Sequence, residues 1–133
     1  MRVRQPSKLE MSMLSLLWER GGLTAREVLE TLPDGKQRAY TSVLSILQAM
    51  ERKKLVRHTT RGNTNVYHAL VKQETTLGRA LRDLVRDVFG GSPAAAVQHL
   101  LSESEVSEEE LREVERLVAA LRAQRAAGEE REP

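Results

Sequence analysis

Thr41, Ser45, Gln48 and Arg52 recur at i, i+4, i+7 and i+11, a spacing that puts them on one face of a helix. With Ser42 beside them they offer short hydroxyls and a carboxamide, the groups that hydrogen-bond base edges in the major groove of DNA. Arg52, at the far end, is placed for a phosphate. Bulky apolar side chains on such a face would leave base edges unpaired. Tyr40 stands at the start of the same segment, where its hydroxyl could also bond a phosphate. Arg26 and Arg38 precede the stripe and Lys53-Lys54 follow it. Further on, Arg61 and Asn63 occupy a hairpin tip that could touch the DNA backbone or minor groove, or simply be solvated. A polar face alone is common to surface helices, so the reading depends on the elements that carry it.

Other chemistry finds less support. His58 and His68 are expected to face one another across the hairpin, but no carboxylate or third histidine stands nearby at metal-site spacing, and no metal site is expected. His99 reads as an ordinary helix residue. Glu108-Glu109-Glu110 reads as a helix start favoured by the helix dipole rather than a catalytic carboxylate pair. The chain lacks a Gly-rich phosphate loop, a His-Glu-x-x-His motif and a recognisable Ser/His/Asp set. It has no cysteine, which removes disulfides, thiolate zinc sites and cysteine nucleophiles together. Neither an enzyme nor a cofactor is expected.

The elements that position the stripe can be read from periodicity and caps. Ser7-Lys8-Leu9-Glu10, Thr24-Ala25-Arg26-Glu27 and Ser107-Glu108-Glu109-Glu110 are Ser/Thr-x-x-Glu capping boxes. They predict helices from about Lys8 to Arg20 (apolar face Leu9, Met13, Leu16, Leu17), from Ala25 to Leu32 (Ala25, Val28, Leu29, Leu32), and a last helix after Ser107. Pro33-Asp34-Gly35 is a turn signal. The stripe's helix spans about Tyr40 to Lys54, with Val43, Leu44, Leu47 and Met50 inward. Two extended segments, near 56–60 and 65–70, flank the tip Arg61-Gly62-Asn63-Thr64. Trp18 reads as core packing. Three helices followed by a hairpin is the layout of a winged helix, whose second and third helices form a helix-turn-helix.

From about Lys72 to Phe89, Leu77, Leu81, Leu84 and Val88 repeat at helical spacing; Gly90 to Pro93 is a break, and a short helix covers Ala94 to Leu101. The last helix carries Leu111, Val114, Val118 and Leu121 at 3-4-3 spacing, a short coiled-coil-like seam. These eight positions are the expected dimerisation surface. The fold class is mainly α with a small β-hairpin: a winged helix-turn-helix over 1–71, a helical dimerisation segment over 72–125 and a frayed tail over 126–133.

The net charge of +2 hides an asymmetry. Residues 1–70 hold 12 Lys/Arg against 6 Asp/Glu, a net of +6, while residues 71–133 hold 9 against 13, a net of −4. A basic front half suits a polyanion. No apolar run reaches the roughly 18 residues of a membrane helix, and Met1 to Pro6 have no signal-peptide character. A cytoplasmic protein without membrane insertion is expected.

Several of these segments resemble the penicillinase-repressor (BlaI/MecI) family. Ser7-Lys8-Leu9-Glu10 with Leu17-Trp18 is similar to its (S/T)-x-x-E…L-W opening helix. Gly21-Gly22-Leu23-Thr24-Ala25-Arg26-Glu27-Val28 resembles its G-x-L-T-x-x-E-(V/I) segment. Ala39-Tyr40-Thr41-Ser42-Val43 with Leu47 resembles its A-Y-(T/S)-T-V…L recognition helix, and Tyr67 with Leu70-Val71 sits where the family has its wing aromatic. The likeness covers about residues 7–122, most specifically the first 70. It implies a homodimeric repressor on double-stranded, near-palindromic operator DNA. In one branch a membrane metallopeptidase sensor leads to cleavage of the repressor in its dimerisation region, commonly at Asn-Phe. The matching bond here is His99-Leu100. The wing also departs from the family's Tyr-x-Tyr-x-Pro, with Asn65, Tyr67 and Ala69 in those places. The cysteine-rich tail of a copper-responsive branch is absent. A winged helix that binds protein rather than DNA is the alternative reading; the basic front half and the polar stripe weigh against it.

Overall fold

A computed structural model describes residues 5–33 and 36–131. The chain divides into two compact units, residues 1–83 and 84–133. In the first unit the order is α1 (Lys8–Arg20), β1 (Leu23–Thr24), α2 (Ala25–Thr31), α3 (Tyr40–Arg52), β2 (Val56–Arg61), β3 (Thr64–Ala69) and the start of α4 (Gln73–Val88). This is a winged helix. Asp34 and Gly35 of the expected turn lie outside the described residues.

Local chemistry fixes the helix starts. Ser7 Oγ accepts the Glu10 amide at 3.1 Å while Glu10 Oε1 accepts the Ser7 amide at 2.8 Å. Thr24 and Glu27 make the same reciprocal pair, at 3.1 and 3.0 Å. At α3 the stop is decided by the backbone. Leu55 N–H donates to Met50 O at 2.9 Å and Lys54 N–H to Glu51 O at 3.0 Å, the paired bonds of a Schellman motif. Lys54 stands at the left-handed position, φ 64°, which glycine usually fills. Leu55 thereby enters the core.

Sequence periodicity predicts a two-stranded hairpin; the sheet has three strands, in the order β1-β3-β2. Leu23 pairs with Tyr67 and Thr24 with Val66, which ties the front of α2 to the hairpin. Two residues are too short to show an alternating pattern, so this strand has no signature of its own. β2 and β3 run antiparallel from Val56↔Ala69 to Arg61↔Thr64. The two loop residues are Gly62 and Asn63, with Gly62 at φ 63°, the position where a type II′ turn requires positive φ.

The core joins α1 (Met13, Leu14, Leu16, Leu17), α2 (Val28), α3 (Val43, Leu47, Met50) and the sheet (Val56, Tyr67). Leu14 is fully buried and Leu9 only partly so, a small rotation from the expected apolar face. Trp18 packs at the edge of this core, and its indole N–H donates to the Val71 carbonyl at 3.0 Å. Among the described residues Glu10 is the buried charged one, 6% exposed, and Lys53 Nζ meets its carboxylate at 2.9 Å.

The unit boundary falls at Asp83/Leu84, twelve residues later than the expected 71/72 division, because the first turns of α4 join the front unit. The second unit comprises the end of α4, α5 (Pro93–Glu103) and α6 (Glu108–Arg131). Ser92 caps α5 by accepting the Ala95 amide at 3.1 Å, and Ser107 Oγ accepts the Glu110 amide at 3.1 Å. α6 runs past Ala126, where the expected frayed tail begins, and is helical to Arg131. Glu132 and Pro133 lie outside the described residues.

Candidate nucleic-acid interface

α3 is amphipathic in the sense its sequence requires. Val43, Leu47 and Met50 are completely buried, while Thr41, Ser42, Ser45, Gln48 and Arg52 are exposed on the other side. Tyr40 opens the helix, 40% exposed. The Arg26 guanidinium from α2 lies 5.2 Å above its ring centroid, a cation–π contact that holds the two helix starts together. Gln48 shares a surface with Arg26 and Tyr40. Arg38 precedes α3, half-buried and engaged within the protein.

Between α3 and the hairpin runs a groove of about 490 Å³, walled by Arg26, Tyr40, Leu44 and Gln48 on the helical side and by Asn63, Asn65 and Tyr67 on the other. It continues toward Arg52 past Glu51 and His58. The groove brings together Arg26, Tyr40, Gln48, Arg52 and Asn63 of the expected set, whereas Thr41, Ser42 and Ser45 lie on the exposed face without lining it. Arg61, at the end of β2, is exposed. The Glu27 carboxyl is held below its ordinary value by the Thr24 amide, then by the Thr24 hydroxyl and, more weakly, by the charge of Arg61.

Asn65 and Tyr67 line the groove but were not expected as contact residues. Their period-two spacing on β3 was the available signal, since residues i and i+2 of a strand share a face. Burial pushes the Tyr67 phenol above its ordinary value, against a lowering hydrogen bond from Asn65, so it remains a neutral hydroxyl.

The expected facing of His58 and His68 is corrected by strand register. His58 is opposite Tyr67 and His68 opposite Arg57, so the two rings are on opposite faces of the sheet. His58 Nδ1 meets Glu51 Oε1 at 2.6 Å and His68 Nε2 meets Thr59 Oγ1 at 3.1 Å. Among the described residues no group of three or more His, Asp or Glu could hold a metal ion.

The expected dimerisation residues lie on α4 and α6. Leu77, Leu111 and Val114 are half-buried; Leu81, Leu84, Val88, Val118 and Leu121 are exposed. His99 and Leu100 lie inside α5, both exposed, with the His99 ring 5.9 Å from that of Phe89. No helix among the described residues is long and apolar enough to cross a membrane.

Comparison with known proteins adds a family. A solution structure of monomeric Bacillus licheniformis BlaI in complex with the blaP half-operator is similar over 55% of this chain and 89% of that one, with 18% identity and a TM-score of 0.46. A MarR family protein from Bacillus stearothermophilus is similar over 90% of this chain and 75% of that one, with 18% identity and a TM-score of 0.47. No curated protein sequence matches. The model of the penicillinase repressor family matches residues 6–120, spanning the winged helix and most of the helical segment. The chain belongs to the penicillinase repressor family of DNA-binding transcriptional repressors.

Proposed function

We propose that the chain represses transcription as a homodimer on near-palindromic double-stranded operator DNA, with α3 of each copy in a major groove. The observation that carries this reading is the division of α3: one side completely buried, the other an exposed run of hydroxyls and carboxamide flanked by Arg26 and Arg52. Thr41, Ser42 and Ser45 lie toward the N-terminal end of α3, the end that meets base edges in a helix-turn-helix. Arg52, Arg61 and Asn63 serve the backbone, and the groove floor at Asn65 and Tyr67 accommodates what the two elements straddle.

Dimerisation supplies the second half-site. Leu84, Val88, Val118 and Leu121 remain exposed in the single chain. Burying each against a second copy stabilises by roughly 1.5–3 kcal/mol. Two linked half-site contacts then bind far more tightly than one, and the α3 helices stand about 34–36 Å apart on successive grooves. Release follows if a protease, under a membrane metallopeptidase sensor, cuts His99-Leu100 and detaches α6 with its seam. The protein then acts in the cytoplasm.

Gel shifts and sedimentation with the DNA upstream of the chain's own gene test the reading. Replacing Thr41 or Ser45 with leucine is expected to abolish specific binding and spare non-specific binding. Arg52→Ala should weaken both and flatten the salt dependence by about one unit per lost phosphate contact. Sedimentation of the full chain as a monomer at micromolar concentration would overturn the dimer. Absence of DNA binding would leave the protein-binding alternative. An uncut protein beside derepressed target genes would overturn cleavage.

A further inference from the structure

The front unit contains a second concavity, of about 340 Å³, that shares no residue with the groove beside α3. Its apolar wall comes from Leu55, Pro6 and Val71. Leu55 is there because the Schellman turn ends α3 and tucks this residue under the helix; it is 5% exposed. Val71 is held by the indole N–H of Trp18 on its carbonyl. The opposite wall is Lys72 and the first turns of α4, where Lys72, Thr75, Thr76 and Arg79 recur at helical spacing and line the cavity. The helical turn is already closed at Lys72, whose carbonyl accepts the Thr76 amide at 3.0 Å.

The charged groups on this rim share one sign. Lys72 and Arg79 are exposed cations, and neither forms an ion pair among the described residues. Asp83, one turn beyond Arg79, does not line the cavity, and its carboxylate accepts from Gln5 Nε2 at 2.5 Å. An apolar wall under two cations, two hydroxyls and the Gln5 carboxamide complements a molecule with a hydrocarbon body and one negative head. The volume is that of a small-ligand site, which begins at roughly 300 Å³. A polyphosphate would leave the apolar wall unfilled, and a neutral hydrocarbon would leave the cations unused.

We propose that this cavity binds a small apolar monocarboxylate, its chain against Leu55 and Val71 and its carboxylate between Lys72 and Arg79. The inference rests on the cavity alone and not on DNA binding.

Octanoate and 1-octanol are the probes, titrated into the full chain and followed by amide shifts in a ¹H–¹⁵N spectrum. Octanoate should bind saturably, with shifts centred on Leu55 and on Val71 to Arg79. The alcohol, equal in chain length, should bind about tenfold more weakly, the equivalent of one lost charge-assisted contact. Lys72→Ala/Arg79→Ala, at two exposed positions, should remove that difference, and Thr76→Trp should block both probes by filling the space. Equal affinity for the two probes would overturn the proposal. So would shifts confined to α5 and α6, or no saturable binding, the outcome expected if a second copy covers the cavity.

Discussion

Replacing Gly22 with alanine tests the packing that ties the helix-turn-helix to the sheet. An added Cβ would lie 2.5 Å from His68 Cε1 and 2.7 Å from Val66 Cγ1. The His68 ring is partly exposed and can swing aside. Val66 cannot, because it is 5% exposed and pairs with Thr24 across the β1–β3 ladder. Relieving the overlap therefore pushes Val66 off its rotamer or opens β1 from β3. Such overpacking costs about 1–3 kcal/mol. Alanine also narrows the unfolded ensemble, which returns about 0.4–1 kcal/mol. The net expectation is a loss of about 1–2 kcal/mol, roughly a 5- to 30-fold fall in the folded-to-unfolded ratio. Urea denaturation followed by the fluorescence of Trp18, the single tryptophan and a residue of the front unit, reads this directly. Val66→Ala supplies the partner measurement. With the Cγ atoms gone, the cost of Gly22→Ala should shrink by at least about 0.5 kcal/mol, the coupling expected of residues in contact. Gly22→Ala proteins as stable as the parent, or a cost unchanged in the Val66→Ala background, would refute the reasoning.

Other expectations follow from single contacts. Lys54→Gly should stabilise the front unit by about 0.5–1 kcal/mol in the same urea titration, because a non-glycine residue at left-handed φ costs roughly 1–2 kcal/mol and glycine's unfolded-state entropy offsets part of the gain. Burial raises the Glu10 carboxyl, but the Ser7 amide, the Lys53 ammonium and the Ser7 hydroxyl outweigh it and leave the group below its ordinary 4.5. Its stabilisation is therefore complete above pH 4.5 and lost as pH falls through the lower folded value. Glu10→Gln should cost about 1 kcal/mol at neutral pH, discounted for the exposed Lys53 partner, and should flatten the acid limb of a melting-temperature-against-pH curve. Trp18→Phe should cost about 1 kcal/mol by leaving the Val71 carbonyl without its indole donor; calorimetry that finds no loss would mean water replaces it freely. Arg26→Ala should weaken operator binding and reduce the salt slope by about one unit if the guanidinium above Tyr40 also meets a phosphate.

Everything carried by local chemistry was legible in the sequence. The boxes at Ser7 and Thr24 set two helix starts, because the cap and its Glu partner are three residues apart. The division of α3 was legible because a 3.6-residue period separates Val43, Leu47 and Met50 from Thr41, Ser45 and Gln48 without reference to any other element. The motif resemblance then pointed to the family that the match over residues 6–120 establishes. The remaining features depend on pairing between distant residues. β1 exists because Leu23 and Thr24 meet Tyr67 and Val66, more than forty residues away in sequence. His58 and His68 part because each takes its face from the register of the whole hairpin. Asn65 and Tyr67 become groove residues, and Leu55 with Arg79 cavity residues, only when strand, turn and helix are brought together. Hydrophobic period and capping are properties of a few consecutive residues, whereas a groove is a property of surfaces that the chain assembles from separate segments.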